Sequence, residues 1–219
     1  MSKLILSLMY SAYGVVVLAA ACALYRFKSL DAASRIFAMY VFLSFFCETI
    51  AMYVAARYKN NLSVYSVNSL VEFGIMGLYF NASIDTFKKK HIGYYIAVGG
   101  IIMGLINLLF IQGVRTLNSY FLVFEGICII GMSLFFFFRL LLREDDLKLY
   151  KNVHFWFATI LSFFWSATFI NWSLYDYFTI NFKDKVWVAD ISRLIAGIIA
   201  YLGVCAVFIL YPKMQKQYE

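Results

Sequence analysis

The chain has 219 residues, of which 63% are hydrophobic and only 14% are charged. This balance excludes an ordinary soluble domain, in which about a quarter of the residues carry charge. The formal net charge of +7 requires no nucleic acid, because the cations collect in the loops on one side of a predicted membrane. We therefore predict no nucleic-acid partner, and we also predict no cofactor. The length fits a single domain.

Seven apolar segments follow one another along the chain. Each is long enough to cross the roughly 30 Å hydrocarbon core of a bilayer as a helix. The single proline, Pro212, and the absence of alternating patterns favour helices over a β-barrel. We predict an all-α polytopic membrane protein, a seven-transmembrane-helix bundle forming one domain over residues 1–219. The predicted spans are about 4–25, 34–57, 65–84, 92–112, 119–141, 153–175 and 186–211.

The lysines and arginines are distributed unevenly over the predicted loops. The loops after the first, third and fifth spans, together with the C-terminal tail, hold twelve of them, whereas the N-terminus and the other loops hold six. Cytoplasmic loops are enriched in Lys and Arg, so the N-terminus is predicted outside and the C-terminus in the cytoplasm. The chain is thus predicted to be a multi-pass protein of the cell membrane, the inner membrane in a bacterium, with the lipid bilayer as its first partner.

Three glutamates interrupt the apolar spans. Glu48 lies in the second span, Glu72 in the third and Glu125 in the fifth. An ionisable group near the centre of a spanning helix costs roughly 2.5–3.5 kcal/mol, so each needs a partner or a function that offsets this cost. A rise of 1.5 Å per residue puts all three about 10–13 Å below the outer boundary.

Other polar side chains are predicted in the same outer half of the membrane. Asn68 lies one helical turn before Glu72, and Asp190 lies three residues before Arg193, with which it could pair on one helix face. Polar groups in lipid turn toward the interior of a helix bundle, so these side chains are expected to converge on one outward-facing acidic pocket. The candidate site residues are Glu48, Glu72, Glu125, Arg193, Asn68, Asn107, Asn171 and Asp190.

Two interpretations of this cluster stay open. In the first, the glutamates are neutral and join helices through hydrogen bonds, each contributing about 0.6–2 kcal/mol. In the second, they form a ligand, ion or proton site, which is a frequent role of ionisable groups inside membranes. Three acids against one arginine favour a small polar or cationic ligand, or protons, and hence a sensor or transporter.

Other function classes are less favoured by the sequence. His91 and His154 lie at the predicted inner ends of the fourth and sixth spans, away from the acids, so neither a metal site nor a Ser/His nucleophile is predicted. The four cysteines all lie within spans, which predicts packing rather than a disulfide framework. A membrane anchor or effector subunit, acting through protein partners or as a homo-oligomeric pore, is the alternative function. An intramembrane lipid-modifying enzyme is the third.

Several short motifs are shared with a known group of proteins. They are Asn60-Asn61 before the third span, Glu72-Phe73 and Tyr79-Phe80 within it, and Asn118-Ser119 with Glu125 at the fifth. In these motifs, and over most of its length, the chain resembles short, uncharacterised bacterial seven-helix membrane proteins. This resemblance implies the seven-helix architecture and no particular activity.

A second resemblance concerns the last two spans. Trp165 and Trp172 stand seven residues apart in the sixth span, and Asp190 lies near the start of the seventh. In these positions the chain is similar to microbial rhodopsins, in which two such tryptophans flank retinal. The resemblance implies fold and topology only. The seventh span contains no lysine, and Leu194 stands where that lysine would be expected, so a retinal Schiff base cannot form.

Overall fold

A computed structural model describes residues 3–114, 116–142, 149–181 and 186–215. The described residues form helices joined by short turns, with no β-strand among them, so the predicted all-α class is confirmed. Several loop cations on which the predicted orientation depends, including Arg143 and Lys183, lie outside the described residues. The orientation therefore stays a prediction.

The helices follow the predicted spans closely, with two short additions, α4 and α8, in segments that were predicted as loops or span ends. In chain order they are α1 (Lys3–Arg26), α2 (Ala32–Tyr58), α3 (Leu62–Ser83), α4 (Asp85–Lys90), α5 (Ile92–Ile106), α6 (Ser119–Leu141), α7 (Val153–Ser173), α8 (Tyr175–Asn181) and α9 (Val186–Gln215). A π-helical turn, Asn107–Ile111, extends α5. The start of α2 is capped by Asp31, whose carboxylate accepts a hydrogen bond from the Ser34 amide at 2.7 Å.

Six helices among the described residues are long and apolar enough to cross a membrane, judged by length and composition. They are α1, α2, α5 with its π turn, α6, α7 and α9. The helix α3, which coincides with the third predicted span, has 22 residues but is less apolar, because serines, Asn68, Glu72 and Asn81 lie along it. A multi-pass helical membrane protein is therefore supported, and the count of seven spans stays a prediction.

The chain forms two compact units. The first, Leu30–Glu125, contains α2 to α5 and the first turns of α6. The second, which we call the terminal unit, consists of Met1–Ser29 and Gly126–Glu219. In the terminal unit both α1 and α7 pack against α9, for example where the rings of Phe157 and Phe208 lie 5.4 Å apart between their centroids.

The helix α3 is the central element of the Leu30–Glu125 unit, because it packs against both α2 and α5. Its side chains Phe73, Tyr79 and Phe80 are fully buried. Gly77 and Gly93 allow α3 and α5 to approach closely: a Cβ atom on Gly93 would lie 2.4 Å from the Gly77 carbonyl oxygen. Neighbouring helices thus cover much of α3, which explains how it tolerates more polar residues than the other long helices.

Candidate functional site

The hairpin of α2 and α3 brings two of the glutamates to the same level. The first helix ends at Tyr58 and the next begins at Leu62, with Lys59 in the left-handed conformation (φ 58°) that reverses the chain. Glu48 lies ten residues before the end of α2, and Glu72 lies ten residues after the start of α3. Both are therefore about 15 Å from the turn along their helices.

Both of these carboxyl groups accept hydrogen bonds from neighbouring side chains. The Tyr65 hydroxyl donates to Glu48 Oε2 at 3.0 Å, and Asn68 Nδ2 donates to Glu72 Oε2 at 3.3 Å. The Tyr40 side chain on α2 also hydrogen-bonds to Glu72, whose carboxyl group is close enough to Glu48 for the two charges to interact. The two acids are half-buried, and donors from both helices orient them.

The start of α6 is attached to α3. The Ser66 hydroxyl on α3 accepts a hydrogen bond from the backbone amide of Asn118, the residue before α6, at 3.2 Å. Farther along, the Phe73 ring contacts the rings of Phe121 and Phe124, each at 5.7 Å between centroids. The contacts advance in the same direction along both helices, so these segments of α3 and α6 run parallel.

This parallel register brings the third glutamate to the level of the other two. Glu72 lies six residues beyond Ser66, and Glu125 lies seven residues beyond Asn118, which are rises of about 9 and 10.5 Å. The Glu125 carboxyl group is accordingly close enough to Glu72 for an electrostatic interaction. Glu125 is 0% exposed, and neither of its carboxyl oxygens has a hydrogen-bond partner among the described residues.

A buried amide network holds the connection between α5 and α6. Asn107 opens the π turn, a structure that is frequent at functional sites. Its Nδ2 atom donates to Gln112 Oε1 at 2.7 Å and to Asn118 Oδ1. Gln112 in turn donates from Nε2 to the Ser119 hydroxyl at 2.7 Å. The network therefore fixes the first residue of α6, and through it the position of Glu125.

Six hydrogen-bonding residues of this arrangement were not among the candidates from the sequence: Tyr40, Tyr65, Ser66, Gln112, Asn118 and Ser119. A signal did exist for Tyr40, because Tyr40, Ser44 and Glu48 are spaced at four-residue intervals and hence share one face of α2. No comparable signal marks Gln112, since its contact with Asn107 depends on the π turn. Ser66 would have required knowledge that α3 and the start of α6 are neighbours.

The remaining candidates belong to the terminal unit. Asn171 donates from Nδ2 to the Ser192 hydroxyl at 2.8 Å. The guanidinium group of Arg193 lies over the Trp172 ring, 5.7 Å from its centroid. This is the contact the structure shows for Arg193, and its pairing with Asp190 stays a prediction. The eight candidates thus fall into two groups, five in the Leu30–Glu125 unit and three in the terminal unit.

The chemistry of the acidic group is that of hydrogen-bond acceptance and negative charge. Within the described ranges, no three His, Cys, Asp or Glu side chains are arranged to hold a metal ion. Among the side chains of the acidic group, the two Glu125 oxygens and Asn68 Oδ1 are buried acceptors without a partner in the described residues. Such a group can bind protons or a species that carries positive charge and donors.

Comparison with known proteins adds no relative. The chain matches no protein-family model, no curated protein sequence and no solved structure. The resemblances to bacterial seven-helix proteins and to microbial rhodopsins therefore stay predictions, and function has to be argued from the residues of this chain.

Proposed function

We propose that this chain is an integral membrane protein in which Glu48, Glu72 and Glu125 form an intramembrane acidic site. The site binds a small polar or cationic ligand, or protons, in sensing or transport. Two separate features support a common site: the α2–α3 hairpin and the parallel register of α3 with α6. Asn68 and Asn107 are hydrogen-bonding neighbours of this site. Asn171, Asp190 and Arg193 have no role in ligand binding in this proposal.

The single observation that carries this proposal is the environment of Glu125. A carboxyl group that only joins helices would be expected to have a hydrogen-bond partner, because polar groups buried without one cost free energy. Glu125 is fully buried and has no such partner among the described residues. Glu48 and Glu72, in contrast, have donors that hold them in place. Binding of a proton or cation would supply what Glu125 lacks.

An oligomeric pore is less well supported than a site within one chain. A pore requires polar side chains at an interface between subunits, whereas Glu125 is 0% exposed and its acidic neighbours lie in the same Leu30–Glu125 unit. The anchor or effector role through protein partners has no comparable observation in its favour.

The topology is part of the same proposal. We propose seven spans, with α3 shielded between α2 and α5, the N-terminus outside and the C-terminus cytoplasmic. Single cysteines introduced at the α2–α3 turn and at the α4 segment of a cysteine-free chain would be labelled with a membrane-impermeant thiol reagent in intact cells. The turn is expected to react and α4 to stay unlabelled; the reverse pattern would contradict the orientation.

Ligand binding is tested by thermal stability of the purified full-length protein in detergent. The panel consists of protons (as a pH series), Na⁺, K⁺, ammonium and small alkylammonium ions. A species that binds only the folded state stabilises it by about 2.7 kcal/mol at a concentration 100 times its Kd. At least one panel member is expected to raise the Tm of the wild type and of the control Asp85→Asn, an exposed acid at the start of α4.

The same species should lose its effect on Glu125→Gln and Glu72→Gln. If every panel member acted on the Glu125→Gln protein as it does on the wild type, the acidic site would have no part in binding. The proposal would then be wrong.

A further inference from the structure

The unpaired atoms of Glu125 and Asn68 are all hydrogen-bond acceptors, which bears on the class of ligand. This inference rests on the proposed function. The two Glu125 oxygens and Asn68 Oδ1 are buried acceptors without a partner among the described residues. The donors beside the acids are already engaged: the Tyr65 hydroxyl bonds to Glu48, and the Asn68 amide nitrogen bonds to Glu72. Asn118 Nδ2 is a buried donor that also has no partner among the described residues, but it lies seven residues before Glu125 along the chain. A ligand that completes this site must therefore bring hydrogen-bond donors of its own.

A bare metal ion fits these acceptors poorly. Ca²⁺ and Mg²⁺ require several oxygens at about 2.0–2.6 Å around one point. Across the described parts of the chain, no three acidic, cysteine or histidine side chains are close enough together for that purpose. An ammonium group instead places its N–H donors about 2.7–2.9 Å from each acceptor and points them in different directions. It can thus recognise separate acceptors by direction as well as by charge.

Aromatic residues adjoin Glu72 and Glu125 in the sequence. Phe73 follows Glu72 in α3, Phe124 precedes Glu125 in α6, and their rings are in contact at 5.7 Å. Rings attract cations through their faces, and their edges pack against alkyl groups. Phe73 has little freedom to move, because a Cβ atom on Gly100 would lie within 1.9 Å of it. The surroundings therefore suit a small organic cation better than a large one.

The exposure of the acids changes across the site. Glu48, Asn68 and Glu72 are half-buried, whereas Glu125 is 0% exposed. A cation can thus meet the two accessible carboxyl groups first and reach the Glu125 oxygens last. Glu72 interacts with both other acids, so its carboxyl group can balance the charge of the cation at either position.

From these observations we infer that the acidic site binds a small primary ammonium ion, with Glu125 and Asn68 Oδ1 accepting its N–H hydrogen bonds and Glu72 balancing its charge. The class is defined by its donors: a methylammonium ion has three N–H groups, whereas tetramethylammonium has the same charge and none. Na⁺ has the charge without the donors or the alkyl group. These three ions are therefore the probes that distinguish donor recognition from charge attraction.

The test is isothermal titration of the full-length protein in lipid nanodiscs with methylammonium, tetramethylammonium and Na⁺. Methylammonium is expected to bind, with the other two at least tenfold weaker. The Kd for methylammonium should rise at least tenfold in Glu125→Gln and in Asn68→Leu and stay unchanged in Asp85→Asn. If Glu125→Gln does not fold, Glu125→Asp, which keeps the charge but withdraws it by one methylene, should show the same weakening.

Equal or tighter binding of Na⁺ or tetramethylammonium would overturn the ammonium inference and leave the proposed cation site standing. Failure of all three ions to bind would also overturn it. Proton uptake, measured in the same preparation by the change in pH of a weakly buffered solution, then decides the broader proposal. Equal uptake by the wild type and by Glu72→Gln/Glu125→Gln would refute that as well.

Discussion

Both units of the chain contain buried hydroxyls that bond within their own helix, in the Leu30–Glu125 unit those of Ser44 and Ser69, but the units differ in the buried side chains that bond between helices. In the terminal unit, the fully buried hydroxyls of Ser133 and Thr168 donate to carbonyls four residues earlier in their own helices, each at 2.8 Å. In the Leu30–Glu125 unit, the buried Asn107 and Asn118 bond to each other across the α5–α6 connection. A hydrogen bond within one helix forms whatever the neighbouring helices are. A hydrogen bond between helices forms only when the two helices are in the correct register.

This difference indicates where a functional site is to be sought in an apolar chain. A hydroxyl that bonds to its own helix can be accommodated at any helix face, so it carries no information about a site. A network between helices requires each partner to be placed correctly, and here it fixes the start of the helix that bears Glu125. Substitutions at such positions should therefore affect one unit and spare the other.

The largest loss of unfolding free energy is expected where α3 and α5 are in closest contact. In Gly93→Ala the new Cβ would lie 2.4 Å from both the Asn81 Cβ and the Gly77 carbonyl oxygen, so the two helices must separate. Overpacking of this kind costs about 1–3 kcal/mol or more. The matched control is Gly99→Ala in the same helix, where a Cβ would meet nothing within 4 Å.

Unfolding by SDS titration in mixed micelles would measure both variants. We expect a clear loss of unfolding free energy for Gly93→Ala and none for Gly99→Ala. Equal stabilities would show that α3 and α5 are not packed as described.

A smaller loss of unfolding free energy is expected when the amide network is broken. Asn118→Ala leaves Asn107 without one of its two partners, and a buried polar group left unsatisfied costs about 1–3 kcal/mol. Thr168→Val in the terminal unit removes a hydroxyl that bonds only to its own helix, and replacement by a group of similar shape can be nearly neutral. The same SDS titration compares them, and a greater loss for Thr168→Val would invert the contrast between the units.

The smallest effect is expected for the aromatic contact of Arg193. Replacing Trp172 with leucine removes the ring that lies under the guanidinium group, and such contacts contribute about 0.5–1 kcal/mol when they are partly exposed. Hydrogen exchange measured by mass spectrometry should show faster exchange in α7 and α9 and unchanged protection of α2 and α3. A loss of protection confined to α2 and α3 would contradict the assignment of Arg193 to the terminal unit.

The sequence predicts the helices well and their arrangement only in part. Apolar length is a local property, so it predicts the class and the approximate bounds of α2 without reference to any other helix. The common level of Glu48 and Glu72 follows from counting residues on either side of Asn60-Asn61, which the sequence also permits.

Other features depend on non-local packing. The contact between Gln112 and Asn107 requires a π turn, which shifts the register of the helix and has no clear sequence signal here. The contact of Arg193 with the Trp172 ring depends on which apolar helices pack together. Lipid-facing and helix-facing leucines look alike in a sequence, so neither feature could be predicted from it.

The claim that the acids form one site is tested most directly by a double-mutant cycle between Glu72 and Glu125. Unfolding free energies are measured for Glu72→Gln, Glu125→Gln and the double variant, and the cycle is repeated with Asp85→Asn in place of Glu125→Gln. Residues that interact show coupling energies of about 0.5–3 kcal/mol, whereas distant sites add within about 0.3–0.5 kcal/mol. We predict coupling for Glu72 with Glu125 and additivity for Glu72 with Asp85; additivity in both cycles would contradict a shared acidic site.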